Sequence, residues 1–161
     1  MLIMRFLHIL SAFWLIAGLL GRWVAYAQAR RAADIQPATA LLRLSDRFEQ
    51  LMVIPGSQAV LVLGLLAAWL GGHPLLGALQ GAHANWLLVS LVLSLCMIPI
   101  VALLLAPRRK LRRLALEDAV ARRTLTAELR AALDDRIVLA SRTTEMIVTG
   151  AILVLMVLKP F

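Results

Sequence analysis

Residues 86–113 read WLLVSLVLSLCMIPIVALLLA followed by PRRKLRR, and this stretch decides the fold class. Its first part is an uncharged block of 21 residues, the length that an α-helix needs to cross about 30 Å of hydrocarbon. Its second part carries five basic residues, which suit the anionic headgroups at a membrane surface. The pattern predicts a membrane-spanning helix with a basic end.

Three further apolar blocks have a similar length, and together they predict an all-α polytopic membrane protein. We expect one domain, a bundle of four transmembrane helices. The spans are 2–21, 51–70, 86–106 and 139–158, joined by cytoplasmic loops 22–50 and 107–138. The composition agrees, with 61% hydrophobic residues, 16% charged residues and a mean hydropathy of +0.86. These values exclude a soluble globular enzyme and a disordered chain.

The basic residues indicate how the bundle is oriented. Of 17 Lys and Arg residues, fifteen lie between spans 1 and 2 or from Arg108 to Arg142. Since basic loops stay in the cytoplasm, we expect both of these segments inside and both termini outside, in the inner membrane of a bacterium. The same distribution accounts for the net charge of +8, so nucleic acid is not an expected partner.

Local signals predict where the helices of the second half begin and end. Pro107 is expected to mark the end of span 3, and in the loop that follows a helix is expected from Leu111 to Arg123. Thr126 suits the N-cap of one helix in this loop. Asp134 or Asp135 suits the N-cap of a long helix that continues into span 4.

Small residues indicate which faces of the spans pack together. Helices in lipid approach closely where side chains are small, and Gly18, Gly64 and Gly150 lie in such stripes on spans 1, 2 and 4. We therefore predict that these glycines face the interior of the bundle.

The histidines are candidate ligands at the outer end of the bundle. His8 shares the small-residue face of span 1, and His83 shares that of span 3. Imidazole is a usual axial ligand of haem iron, so the pair predicts a haem b site. Met4 precedes His8 by one helical turn and could hold copper with the same histidines. The alternative is that His8 only forms a hydrogen bond with Ser11 or a backbone carbonyl.

Span 4 contains a carboxylate that needs a partner. Its uncharged part, Met146–Leu158, reaches only about 20 Å at ~1.5 Å per residue, so Glu145 is drawn into the membrane. A carboxylate there is costly unless it is paired, hydrated or protonated. Its candidate partners are Arg22, Arg47 and Arg142. A structural ion pair and a proton-relay or catalytic role are both open.

Several motifs carry a resemblance to known families. They are Leu7-His8-Ile9-Leu10, Val53-Ile54-Pro55-Gly56, Asn85-Trp86-Leu87-Leu88 and the ending Lys159-Pro160-Phe161. The chain resembles an uncharacterised family of small four-span predicted integral membrane proteins. It is more distantly similar to HemJ-type protoporphyrinogen oxidases and CopD-like membrane domains. The HemJ resemblance implies haem b held by His8, although Asn85 and Thr144 depart from the motifs of that group.

These observations leave three functional hypotheses. The first is b-type haem binding with a redox or porphyrin-related role. The second is a non-catalytic accessory or interaction subunit, with a membrane protein or a second copy of the chain as partner. The third is copper handling. Whether the protein is an enzyme is left open, and a haem-dependent membrane oxidoreductase is the only enzyme class the residues suggest.

Overall fold

The computed structural model describes residues 2–81 and 85–159, and all regular structure within these ranges is helical. The α-helices are α1 (Leu2–Arg31), α2 (Ile35–Phe48), α3 (Ile54–Leu70), α4 (Trp86–Pro99), α5 (Ala106–Ala121), α6 (Ala127–Leu133) and α7 (Arg136–Leu158). Two π-helical turns, Glu49–Val53 and Ile100–Leu105, connect α2 to α3 and α4 to α5. A short 3₁₀ helix, Gly77–Gln80, follows α3. The prediction of an all-α fold is confirmed.

Four helical segments of the described chain are long and apolar enough to cross a membrane. Their bounds are Leu2–Arg31, Ile35–Leu70, Trp86–Ala121 and Ala127–Leu158. Each contains one of the predicted spans and extends beyond it. The segments predicted as connecting loops are therefore largely helical, and they lengthen the bundle at one end.

The third of these segments continues through Pro107, so the helix predicted from Leu111 to Arg123 instead begins at Ala106 and is continuous with span 3. Pro107 lies in the first turn of α5, directly after the π-helical turn Ile100–Leu105. A proline ring clashes with the carbonyl four residues earlier in an α-helix. The wider π-helical turn inserts one residue and relieves this clash. Pro55 has the equivalent position in α3, after the turn Glu49–Val53.

Side-chain caps define the helices of the segment between spans 3 and 4. The hydroxyl of Thr126 accepts a hydrogen bond from the backbone N–H of Leu129 at 3.3 Å, which starts α6. The carboxylate of Asp135 accepts one from the backbone N–H of Ile137 at 2.8 Å, which starts α7. Both predicted caps are confirmed, and Asp135 rather than Asp134 is the cap of α7.

The packed core lies at the end of the bundle that carries most of the charge. We call this the charged end and define it by Arg22, Glu49, Arg109 and Glu145. The core residues are Tyr26, Ala29, Leu42, Leu105, Ala119, Leu129, Leu133 and Val138. Within the apolar spans, large side chains such as Phe13, Trp69 and Ile147 are instead about two-thirds exposed. This arrangement suits a membrane, because lipid solvates those side chains and only tight packing or polar contacts hold the helices together.

Glycines allow α1 to lie close to the helices that follow it. A Cβ atom on Gly18 would lie 2.6 Å from the Cβ of Met52, and one on Gly56 would lie 3.2 Å from the Cα of Leu15. Gly64 faces the ring of His8. The predicted inward faces of Gly18 and Gly64 are therefore confirmed. Gly150 is different, because it is exposed and a Cβ there would meet open space, so its predicted inward position is wrong.

A pair of alanine substitutions tests this packing. Gly18→Ala should destabilise the protein by about 1–3 kcal/mol, because the new methyl group overlaps Met52 and its backbone. Gly150→Ala is the matched control and should leave the stability unchanged or slightly raised, since alanine favours a helix over glycine. Thermal unfolding in detergent measures both. Equal midpoints for the two variants would contradict the close contact at Gly18.

Candidate functional site

His8 is held between α1 and α3 by a backbone carbonyl. Its Nδ1 lies 3.1 Å from the carbonyl oxygen of Val60. A carbonyl can only accept, so Nδ1 carries the proton and donates it, and the lone pair of the ring is on Nε2. The side chain is half-buried. This contact chooses between the two hydrogen-bond partners considered for His8, since the hydroxyl of Ser11 donates instead to the backbone carbonyl of His8 at 2.8 Å.

Gly64 makes room for the imidazole. It lies one helical turn after Val60, and a Cβ on Gly64 would be only 2.9 Å from Cε1 of His8. The carbonyl of Val60 can therefore serve the ring as well as its own helix, because an oxygen has two lone pairs. The glycine and the carbonyl together fix the position and the tautomer of His8.

The other predicted ligands are less well defined. Met4 is half-buried on α1, one turn before His8. His83 lies outside the described residues, so its predicted role as a second ligand stays a prediction. His73 is exposed and stacks edge-on against Trp86, with ring centroids 6.1 Å apart. Among the described residues, no three His, Cys, Asp or Glu side chains come together as a metal site.

Arg22 is the centre of a second candidate site at the charged end. Its guanidinium donates from Nη1 to Glu49 at 2.6 Å and from Nη2 to Glu145. Only 2% of Arg22 is exposed, and both carboxylates are buried. These contacts join three helical segments of the bundle, and Glu145 has its partner in one of the three arginines that were expected.

Three further arginines, all on α5, form ion pairs next to this site. Arg109 donates to the second oxygen of Glu49 at 2.6 Å. Arg112 donates to Asp46 at 2.6 Å, and Arg108 donates to Asp135 at 3.0 Å. Glu145, Arg22, Glu49 and Arg109 therefore form one alternating chain of charges, and the other two are separate ion pairs beside it.

Arg142 is also buried there, but it faces an aromatic ring rather than a carboxylate. Its guanidinium carbon lies 3.9 Å from the ring centroid of Tyr26, and that of Arg112 lies 5.5 Å from it. The hydroxyl of Tyr26 donates to the backbone carbonyl of Leu133 at 3.1 Å. Nη1 of Arg142 and Nε of Arg22 are buried with no hydrogen-bond partner in the described part of the chain.

The sequence prediction of this site was incomplete. Arg22, Arg142 and Glu145 lie together, whereas Arg47 is exposed. Glu49, Arg109 and Tyr26 were not predicted. The sequence did contain a signal for Glu49. Glu49 comes just before span 2 and Arg22 just after span 1, so the two residues lie at the same end of neighbouring helices.

Loss of Arg22 should be severe. Arg22→Met leaves two buried carboxylates close together and should cost about 3–5 kcal/mol of stability. The combination of Arg22→Met with Glu49→Gln and Glu145→Gln should recover part of this loss, because no uncompensated charge from the triad then stays buried. Arg113→Met, which removes an exposed arginine, should have little effect.

The stability of all three variants is measured by their thermal unfolding midpoints in detergent. A triple variant that is less stable than Arg22→Met alone would show that the charges themselves are not the source of the loss.

Comparison with known proteins agrees with this architecture. A family model described as a predicted integral membrane protein (DUF2269) matches residues 2–160. No curated protein and no solved structure shows a significant match to the chain.

Proposed function

We propose a cofactor-binding function for this chain, which belongs to the DUF2269 family of predicted integral membrane proteins. The cofactor is haem b, and His8 is its axial ligand. The observation that carries the proposal is the hydrogen bond from Nδ1 of His8 to the carbonyl of Val60. A role in redox or porphyrin chemistry follows from that cofactor.

The geometry of His8 fits a metal ligand. Histidines that bind a metal through one nitrogen usually donate the other N–H to a carbonyl or carboxylate, which fixes the tautomer and makes the ligand more basic. In His8 the fixed nitrogen is Nδ1, so Nε2 has the free lone pair. The same contact is also the backbone-carbonyl hydrogen bond of the alternative hypothesis, so the absorption spectrum decides between the two.

The position of His8 between two helices also supports the proposal. Four-helix bundles hold cofactors between facing helices, and His8 lies at the contact between α1 and α3. When bound, haem b supplies an iron that exchanges single electrons, while the protein holds and orients it. One imidazole is sufficient as an axial ligand, and His83 is the proposed second one.

We also propose the location and the orientation. The lipid bilayer is that of the bacterial inner membrane, with the basic segments in the cytoplasm and both termini outside. Alkaline phosphatase fused to the C-terminus should therefore be active in intact cells. If the C-terminal fusion is inactive and alkaline phosphatase inserted between α5 and α6 is active, the orientation is the opposite of the one proposed.

The haem proposal predicts an absorption band that depends on His8. Wild-type protein expressed with ample haem should show a Soret band, and His8→Ala should lose most of it. His73→Ala is the matched control, because His73 is exposed and should leave the band unchanged. Gly64→Ala, which pushes on the ring of His8, should shift the band or weaken haem binding without unfolding the protein.

The other hypotheses make different predictions in the same preparation. Copper handling would give colourless protein with copper that is lost in His8→Ala and reduced in Met4→Leu. An accessory subunit would give colourless protein with a stoichiometric membrane partner. Wild-type protein with no Soret band would contradict the haem proposal.

A further inference from the structure

The charged end contains more arginines than its carboxylates can pair. Two neighbouring cavities lie there, and they share Glu49, Arg109 and Arg112 as walls. The residues that line these cavities, together with their ion-pair partners, include seven arginines and five carboxylates. The arginines are Arg22, Arg43, Arg108, Arg109, Arg112, Arg113 and Arg142. The carboxylates are Asp46, Glu49, Glu117, Asp135 and Glu145.

Two of these arginines have no carboxylate within salt-bridge distance in the described residues. All five carboxylates are engaged by other arginines. The two arginines that are left are Arg43, which is exposed and lines the larger cavity, and Arg142, which lines the smaller one. The site therefore has two surplus positive charges.

Of the two, Arg142 is the one whose burial is costly. It is only 5% exposed, and its Nη1 has no hydrogen-bond partner among the described residues. The ring of Tyr26 compensates part of its charge through a cation–π contact. A buried donor that has no acceptor still carries the cost of its lost hydration, so an anionic acceptor would stabilise this arrangement.

The shapes of the cavities indicate what kind of anion fits. The smaller cavity has a volume of about 10 Å³, which admits one water-sized atom beside Arg142. The larger one is an open groove of about 680 Å³ between α2 and α5, and Ile54, Leu116 and Val120 form its apolar walls. The groove has room for a phosphate group, and Arg109 and Arg112 line both the groove and the smaller cavity beside Arg142.

We propose that this groove binds a phosphate anion, carried either by an anionic phospholipid or by free phosphate. Guanidinium groups match phosphate oxygens with paired hydrogen bonds, and the groove supplies several. Except for Arg142, which lies within span 4, the arginines lie just beyond the apolar blocks, a position that would bring them to lipid headgroups, and the apolar walls suit an acyl chain. The site is separate from His8, since fourteen residues, about 21 Å along α1, separate His8 from Arg22.

The test uses full-length protein in an uncharged detergent, with bound lipids counted by native mass spectrometry. The probes are dioleoylphosphatidylglycerol, dioleoylphosphatidylcholine and sodium phosphate, the last compared with sodium chloride at equal ionic strength. We expect wild-type protein to retain phosphatidylglycerol at least tenfold better than phosphatidylcholine. Arg43→Gln and Arg142→Gln should each reduce this preference several-fold.

Arg122→Gln is the matched control. Arg122 is exposed on the same basic segment and pairs with Asp118, but it does not line either cavity. Its lipid preference should stay within twofold of wild type. If the buried Arg142→Gln variant does not fold, the lipid preferences of Arg43→Gln and Arg122→Gln are compared, and the proposal requires the preference to fall in Arg43→Gln alone.

The outcomes distinguish the two sources of phosphate. Retention of phosphatidylglycerol that sodium phosphate does not displace identifies a lipid site. Thermal protection by sodium phosphate alone, lost in Arg43→Gln, identifies a site for the free anion. If Arg43→Gln, Arg142→Gln and Arg122→Gln all bind phosphatidylglycerol and phosphate as wild type does, the proposal is overturned, whatever the result for haem.

Discussion

Arg22 donates to two carboxylates that come from distant parts of the chain, Glu49 after α2 and Glu145 in α7. Each of these three charges would be costly in this buried position without the others. Their mutual contact fixes the rotation of α1 and α7 about their own axes, because a turn of either helix would break it. The neighbouring pairs of Arg109 and Arg112 then align α5 with α2.

The concentration of polar contacts at one end explains the distribution of the core. In water the apolar faces of the helices would drive the bundle together along its whole length, but lipid removes that force. Close packing in the spans is therefore confined to places such as Gly18 and Gly64, where small residues let the helices approach. The charged end supplies both an apolar core around Tyr26 and the ion pairs that surround it.

The sequence was sufficient for the four apolar helices and for the cap at Thr126, and it limited the cap of α7 to Asp134 or Asp135, since length, composition and local hydrogen bonding determine these features. It also named Arg22 as one of three candidate partners of Glu145, because both lie near the inner ends of their spans. It did not predict the rotation of each helix. Arg47 was predicted as a cationic partner of Glu145, but the structure leaves Arg47 exposed and places a second carboxylate, Glu49, against Arg22.

The separation of the Arg22 contacts along the chain has a consequence for biogenesis. Glu49 is synthesised 27 residues after Arg22, whereas Glu145 follows it by 123 residues. Arg22 and Glu49 are therefore both synthesised before Glu145. The fourth span, whose uncharged part Met146–Leu158 is short, is the last of the three segments to supply its charge to this contact.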